Sequence, residues 1–319
     1  LGPTALSMAG IICLTPLLSR FLRFALVPLW NFFGLDAGLL SGILAIDMGG
    51  YQLAGELSSS PEMVHYAGLV VAATLGCTIT FTIPVGMGML SDRDRLFFSR
   101  GMLIGTGTLP VTLLVGGLLS GLSFLQIVLQ SLPVLLFCFL LMFGIWRFPD
   151  QTVRAFTVFA NVIRLLTTIG LIAGAFCYMT GFSLLPELTP LEDAMAVVSS
   201  IGIVLLGSLP TAELLQRVLK KPLSFIGKKT GMNDSSAAGL LMGIVSPVPA
   251  ITMMEKMDDR GKIANAAFLV SAASAIAAHM GFTFGTDPDF VVSLLTAKLA
   301  GGIVAVCAAL FFTRKPASR

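Results

Sequence analysis

Residues 101–146 read GMLIGTGTLPVTLLVGGLLSGLSFLQIVLQSLPVLLFCFLLMFGIW, and no Asp, Glu, Lys or Arg interrupts them. A helix needs about 20 predominantly apolar residues to cross the hydrocarbon core of a bilayer. The run therefore holds two crossings, Gly101–Ser120 and Phe124–Trp146. Met63–Leu90 and Ile263–Thr286 are also free of those charges, and each supplies one more. Composition agrees: of 319 residues, 55% are hydrophobic and only 12% charged, with mean hydropathy +0.92. A soluble domain carries about 25% charged residues. The fold expected is all-α, a polytopic helical membrane protein. Further spans at Thr4–Ser19, Leu165–Leu185, Ala194–Thr211 and Phe290–Phe312 bring the expected number to eight.

Two more apolar stretches, Ala37–Leu57 and Ser236–Met254, are interrupted by Asp47-Met48-Gly49-Gly50 and by Ser246-Pro247-Val248-Pro249. Paired Gly and Pro break the helical hydrogen-bond ladder. Such breaks are tolerated at membrane depth where the freed backbone lies in protein or lines a wet cavity. Both stretches read as re-entrant hairpins or discontinuous helices. If both are re-entrant, seventeen of the twenty basic residues fall on one side, which the positive-inside rule makes cytoplasmic. Arg20, Arg23 and Lys298 are the exceptions. A spanning first segment would satisfy the charge rule equally well, so charge leaves that choice open.

An internal repeat is the better arbiter. Ala37-Gly38-Leu39-Leu40 with Gly42-Ile43 recurs as Ala238-Gly239-Leu240-Leu241 with Gly243-Ile244. Leu69-Val70 with Ala72-Ala73-Thr74 recurs as Leu269-Val270 with Ala272-Ala273-Ser274. Each copy runs span, broken segment, span, span, and two extra spans separate the copies. That odd count makes the second copy enter from the opposite face. The expected organisation is a first repeat over 1–123, linking helices over 124–193 and an inverted second repeat over 194–319. Transporters built this way bind substrate near the midplane, where broken helices expose amides and carbonyls.

Asp47 is the sharpest candidate for chemistry. A carboxylate at membrane depth costs about 3 kcal/mol on insertion scales, so it needs a cation, a proton or a structural partner. It can bind a cationic solute, or cap the amides of Gly49 and Gly50 at the helix break. His279 lies deep in an uncharged span and can bind a hydroxyl, relay protons or serve as a satisfied core histidine. Thr74, Thr78 and Thr80 offer hydroxyls, though threonines also bond to their own helix backbone. Ser246 sits beside a broken ladder, and Glu56 stands at the exit of the first broken segment. Asp92-Arg93-Asp94 and Asp258-Asp259-Arg260 read as solvated loops, and Gly101–Gly105 and Gly117–Gly121 as close-packing pairs.

Other classes find no support. The five cysteines (Cys13, Cys77, Cys138, Cys177, Cys307) lie singly in apolar segments, without a CxxC or Cys/His pair. No cofactor or metal site is expected, nor a nucleic-acid partner at a net charge of +3. An intramembrane enzyme would need a second acid or a nucleophile near Asp47 and His279, and a mere anchor would not need Asp47. The chain starts at Leu1, so an N-terminal piece with a further helix is expected ahead of it.

The run Ile46-Asp47-Met48-Gly49-Gly50, followed by Ala54 and Glu56-Leu57, resembles the ethanolamine permeases of bacterial ethanolamine utilisation, the EutH family. The likeness continues through Phe81-Thr82-Ile83-Pro84-Val85, Ser91-Asp92-Arg93, Met257-Asp258, Arg260-Gly261-Lys262 and Ser271-Ala272-Ala273. It ends with His279, Gly281-Phe282 and Lys298-Leu299 with Gly301-Gly302, and so covers essentially the whole chain. Two departures stand out: Val245-Ser246-Pro247 replaces an Asn-rich turn of the family, and Ala278 replaces an acid before the histidine. The resemblance implies a multi-pass protein of the bacterial inner membrane whose partners are ethanolamine and the lipid bilayer, with a homo-oligomer left open. It implies a substrate site of Asp47 for the ammonium, Gly49 and Gly50 at the break, and Thr78, Ser246 and His279 for the hydroxyl. A proton- or cation-coupled carrier of another small polar metabolite is the alternative.

Overall fold

The computed structural model describes residues 2–44, 50–182, 185, 187–200, 202–203, 206–207, 210, 214, 217–218 and 231–313. Lipid offers no hydrogen bonds to a bare backbone, so an apolar chain satisfies its own amides by forming helices. The described residues bear this out as an all-α polytopic fold, with seven helical stretches long and apolar enough to cross a membrane. In order, the elements are α1 (Gly2–Ala25), α2 (Val27–Phe32), α3 (Gly38–Ile43), α4 (Gly50–Leu57) and α5 (Pro61–Met89). α6 (Asp92–Leu119), α7 (Phe124–Arg147), α8 (Pro149–Thr180) and α9 (191–200) follow. The chain then forms α10 (Asp234–Val245), α11 (Pro247–Thr252), α12 (Asp259–Ala272), α13 (Met280–Thr286) and α14 (Val291–Phe312).

Both broken segments return to the face they leave. At the base of the first, the Asp36 carboxylate accepts from the amide of Gly38 at 2.7 Å. It also accepts from the amide and hydroxyl of Ser59 at 2.9 and 2.5 Å. Entry and exit of the α3–α4 hairpin are thus stapled by one acid. The α10–α11 hairpin uses the same device from its exit end. There Asp258 accepts from the Asn233 amide (2.9 Å) and the Ser236 hydroxyl (2.7 Å), and also caps α12 through the Gly261 amide. The partial burial of Asp258 would raise its carboxyl, but these donors outweigh it and hold the group below the ordinary carboxylate value. The first segment is therefore a re-entrant hairpin, as is the second.

The two bases lie at opposite ends of α6. The first touches Gln130 in the opening turns of α7, whose side chain accepts from the Asp36 amide (2.8 Å) and donates to the Gly34 carbonyl (3.2 Å). The second lies where α12 begins, beside the start of α6. Arg93, Arg95, Arg100, Arg147, Lys256, Arg260 and Lys262 gather at this second end. Arg95 and Arg100 share a crevice with Trp146 and Asp150, and Arg260 donates to the last turn of α14 at Leu310 (2.8 Å). Arg20 and Arg23 lie at the other end, bonded to Glu187 (3.0 Å) and to the Glu56 carbonyl.

Glycines bring the spans into contact. A Cβ on Gly101 would stand 2.4 Å from the Ile263 carbonyl oxygen, and one on Gly105 2.5 Å from that of Ala267, so α6 and α12 touch along their backbones. Gly121, by contrast, belongs to the turn after α6 (φ +92°). α7 and α8 turn large apolar side chains outward, among them Leu136, Phe139, Phe143, Leu165, Ile172 and Phe176, as a lipid-facing surface requires.

The expected spans fit with one displacement. α8 begins at Pro149, well before the expected Leu165, and stops at Gly181, whose left-handed φ of 69° ends it. Arg154 and Arg164 sit exposed on this helix rather than in a loop. Long basic side chains reach water from an exposed helix face, so charge there does not end the helix. The expected span Ala194–Thr211 lies partly outside the described residues, and 191–200 is helical.

Candidate functional site

The centre of the bundle is organised by two departures from regular helix, one in the span after each hairpin. After the first hairpin, α5 starts as α-helix, widens to π-helix over Tyr66–Gly76 and again over Thr78–Thr82, and regains α geometry from Ile83. Pro84 lies just beyond, with no N–H to give and a ring that presses on the carbonyl four residues back. After the second hairpin, α12 stops after Ala272 because Ser274 turns left-handed (φ 55°), and a π turn over Ala275–His279 leads into α13. A non-glycine residue in that conformation stores about 1–3 kcal/mol and calls for compensating contacts. One is visible: the Ser274 amide donates to the Gly243 carbonyl of the second hairpin at 3.0 Å.

Two repeat-matched carbonyls face these breaks, and each accepts a hydrogen bond from a nitrogen-bearing side chain. The Ala273 carbonyl accepts from His279 Nδ1 at 3.0 Å, and since a carbonyl can only accept, Nδ1 carries the proton. The Ala73 carbonyl accepts from Lys298 Nζ at 2.5 Å. Lys298 reaches it from α14, is fully buried, and lies within electrostatic range of His279. Thr78, in the second π stretch, donates across to the Val270 carbonyl at 3.2 Å. Beside them the Thr112 and Ser271 hydroxyls meet at 2.9 Å, with Gly301 pressed so close that a Cβ there would stand 1.8 Å from Thr112 Oγ1. The middle of the molecule is therefore polar, buried and held mostly through backbone carbonyls.

Of the residues expected to bind substrate, the structure links three. Thr78 and His279 both bond to the segment Val270–Ser274, and the second hairpin joins it through Gly243, three residues before Ser246. Ser246 is extended (φ −158°, ψ 135°) between α10 and α11, and partly buried. Gly50 is buried at the start of α4. Asp47 and Gly49 lie outside the described residues. Thr74 and Thr80 bond to their own helix, to Val70 (2.7 Å) and Gly76 (2.9 Å), and Glu56 is exposed. Among the described residues, no three His, Cys, Asp or Glu side chains cluster in a way that could hold a metal ion.

Each face is closed by a side-chain contact between distant parts of the chain. At the basic face, Lys262 of α12 meets Asp94 of α6 at 2.6 Å, buried on both sides. Asp94 therefore leaves the solvated loop expected of it, because Lys262 and the Ser91 hydroxyl satisfy its carboxylate. Asp258 is likewise a hairpin staple rather than a free loop acid. At the opposite face, His65 of α5 meets Asp287, just before α14, at 2.6 Å and stacks on Phe290 at 4.7 Å. A crevice of about 430 Å³ opens beside His65, lined by Tyr51, Ser58, Ser59 and Ser60; it does not reach Thr78, Ser246 or His279.

Sequence reasoning missed Lys298, Ser274 and the two carbonyls. The one available signal was that Lys298 broke the positive-inside pattern from within a span, immediately ahead of Gly301-Gly302.

The family model described as "Ethanolamine utilisation protein, EutH" matches residues 1–312. The protein named probable ethanolamine permease EutH in Listeria monocytogenes is 36% identical over 316 residues, covering 99% of this chain and 85% of that protein. Its Escherichia coli namesake is 33% identical over 340 residues, covering 99% and 83%. A Bacillus subtilis relative, named only as the uncharacterized protein YxeR, is 34% identical over 314 residues, covering 98% and 85%. No solved structure matches the chain.

Proposed function

Because this chain belongs to the EutH family of ethanolamine utilisation proteins, we propose that it is a permease carrying protonated ethanolamine across the bacterial inner membrane by facilitated diffusion. The observation that carries this reading is the nearly end-to-end match to relatives named ethanolamine permease, on a chain built of membrane-crossing helices. A transporter, rather than an enzyme, is what that family and fold describe.

The architecture supports a mechanism. Residues 1–123 and 194–319 act as two inverted repeats joined by linking helices over 124–193. The support is that the two hairpins rise from bases at opposite ends of α6. Their tips and the interrupted spans α5 and α12–α13 frame the path. Asp47, Gly49 and Gly50 on the first hairpin receive the ammonium, and Thr78, Ser246 and His279 receive the hydroxyl. Ethanolamine is mostly cationic at neutral pH, so one carboxylate with carbonyls and hydroxyls is a sufficient site. Lipid bathes the outward apolar faces of α7 and α8, and a second copy of the chain is compatible with the same surface.

Labelled ethanolamine uptake into proteoliposomes, with and without Asp47→Asn, tests the proposal. Expected is saturable wild-type flux above that of empty liposomes, reduced about tenfold or more in the variant for a lost charge-assisted contact. Wild-type flux equal to empty liposomes would sink the permease, and unchanged mutant flux would remove Asp47 from the path. Accumulation driven by a proton or sodium gradient would replace facilitation with coupling.

A further inference from the structure

We propose that the Ala73 carbonyl in the π-helical stretch of α5 is a binding site for primary alkylammonium ions, occupied here by the protein's own Lys298 as a tethered stand-in. The Lys298 side chain ends in the same group as a primary ammonium ligand, a nitrogen with up to three N–H donors on an alkyl stem. It is completely buried in the middle of α14, and its Nζ stands 2.5 Å from the Ala73 oxygen. Ala73 lies within the wide turns of Tyr66–Gly76, and its repeat partner Ala273 offers its own carbonyl to His279 Nδ1 at 3.0 Å. Exposed carbonyls at helix breaks are how membrane carriers hold cations. Both matched carbonyls here hold nitrogen donors contributed by the second copy. A surface lysine needs no such placement, and an ionisable side chain inside a membrane span marks a functional site.

The consequence is competition. An incoming alkylammonium takes the carbonyl only as Lys298 withdraws, and Lys298 reoccupies it after release, so the empty site is never left with an unsatisfied acceptor. The Thr78 hydroxyl, one helical turn beyond Ala73, bonds across to Val270 and ties the site to the α12 break. The inference rests on the permease reading for the identity of the natural ligand, though not for the existence of the site.

The test uses ethylammonium, which has the ammonium but not the hydroxyl of ethanolamine. Thermal unfolding of purified Lys298→Ala is followed against ethylammonium, with ethanol and tetramethylammonium as controls. Half-maximal stabilisation of the variant is expected at a concentration about tenfold or more below that for wild type, tenfold being 1.4 kcal/mol of binding. The controls should do nothing, because neither brings an N–H⁺ donor. Equal half-saturation, or no stabilisation of a folded variant, overturns the proposal. Should the variant fail to fold, the wild-type protein decides. Saturating ethylammonium must raise carbamylation of Lys298 by cyanate above its ligand-free level, and unchanged labelling overturns the site. Proteoliposomes that fail to move ethanolamine while ethylammonium still displaces Lys298 would refute the permease and leave the site standing.

Discussion

The two faces of the molecule are locked at matching places by different chemistry. The fourth residue of α12, Lys262, pairs with Asp94 near the start of α6; the fifth residue of α5, His65, pairs with Asp287 just before α14. In each case the span following a hairpin binds the head of a span from the other half of the chain. The lysine contact is sealed, its side chains only 6% and 9% exposed, whereas the histidine contact is 24% and 22% exposed. A buried pair of permanent charges strongly resists losing one partner, because the survivor is left charged in a poor solvent. A half-wet imidazole–carboxylate contact has no such penalty, because water reaches either partner when the other is lost. The difference teaches that the histidine face is the easier one to part.

Substitutions at the two locks break that comparison if it is wrong. Asp94→Asn strands the Lys262 ammonium and should destabilise the fold by about 3–5 kcal/mol, read as a large loss of thermal stability in detergent. Next in size is the staple of the second hairpin. Asp258→Asn leaves one acceptor oxygen where two now accept, and should lower stability by about 0.5–1.5 kcal/mol at pH 7, the net worth of one hydrogen bond. The sign with pH follows from the lowered carboxyl of Asp258. Its contribution is fully present above about pH 4, the ordinary carboxylate range, and is lost as the pH falls through the lowered native value. The gap between wild type and variant should therefore close at strongly acid pH, and a gap that persists there would assign the stapling to something else. Smallest is His65→Gln, expected to cost about 0.2–1 kcal/mol, like other partly exposed pairs. A loss as large as that of Asp94→Asn would erase the distinction between the faces.

Much of this was legible in residue order alone. Uncharged runs such as 101–146 place spans because a bilayer imposes a length and forbids charge, and the Gly and Pro interruptions of Ala37–Leu57 and Ser236–Met254 placed both hairpins. The interior was harder to read, for physical reasons. Carbonyl oxygens belong to every residue, so nothing in the letters marks Ala73 or Ala273 as acceptors. Ser274 adopts a glycine-like backbone without being glycine, and so gives no warning. Lys298 breaks the charge rule, yet that rule describes which side of the membrane a cation prefers and is silent on one held inside. Arg154 and Arg164 misled in the opposite direction, reading as a loop when an exposed helix face serves them equally well.

α8 carries one further consequence. Its 32 residues make it about 48 Å long at 1.5 Å per residue, against a hydrocarbon slab of about 30 Å. Upright, it leaves some twelve residues' length outside the oily layer; inclined, it hides more of itself, and the choice depends on the lipid. α8 is fastened to α1 where Gly10 and Gly170 meet, a Cβ on Gly170 standing 2.2 Å from the Gly10 carbonyl oxygen, and α1 in turn packs against α4 of the first hairpin. A change in the tilt of α8 with acyl-chain length would thus reach, through α1, the hairpin that carries Asp47.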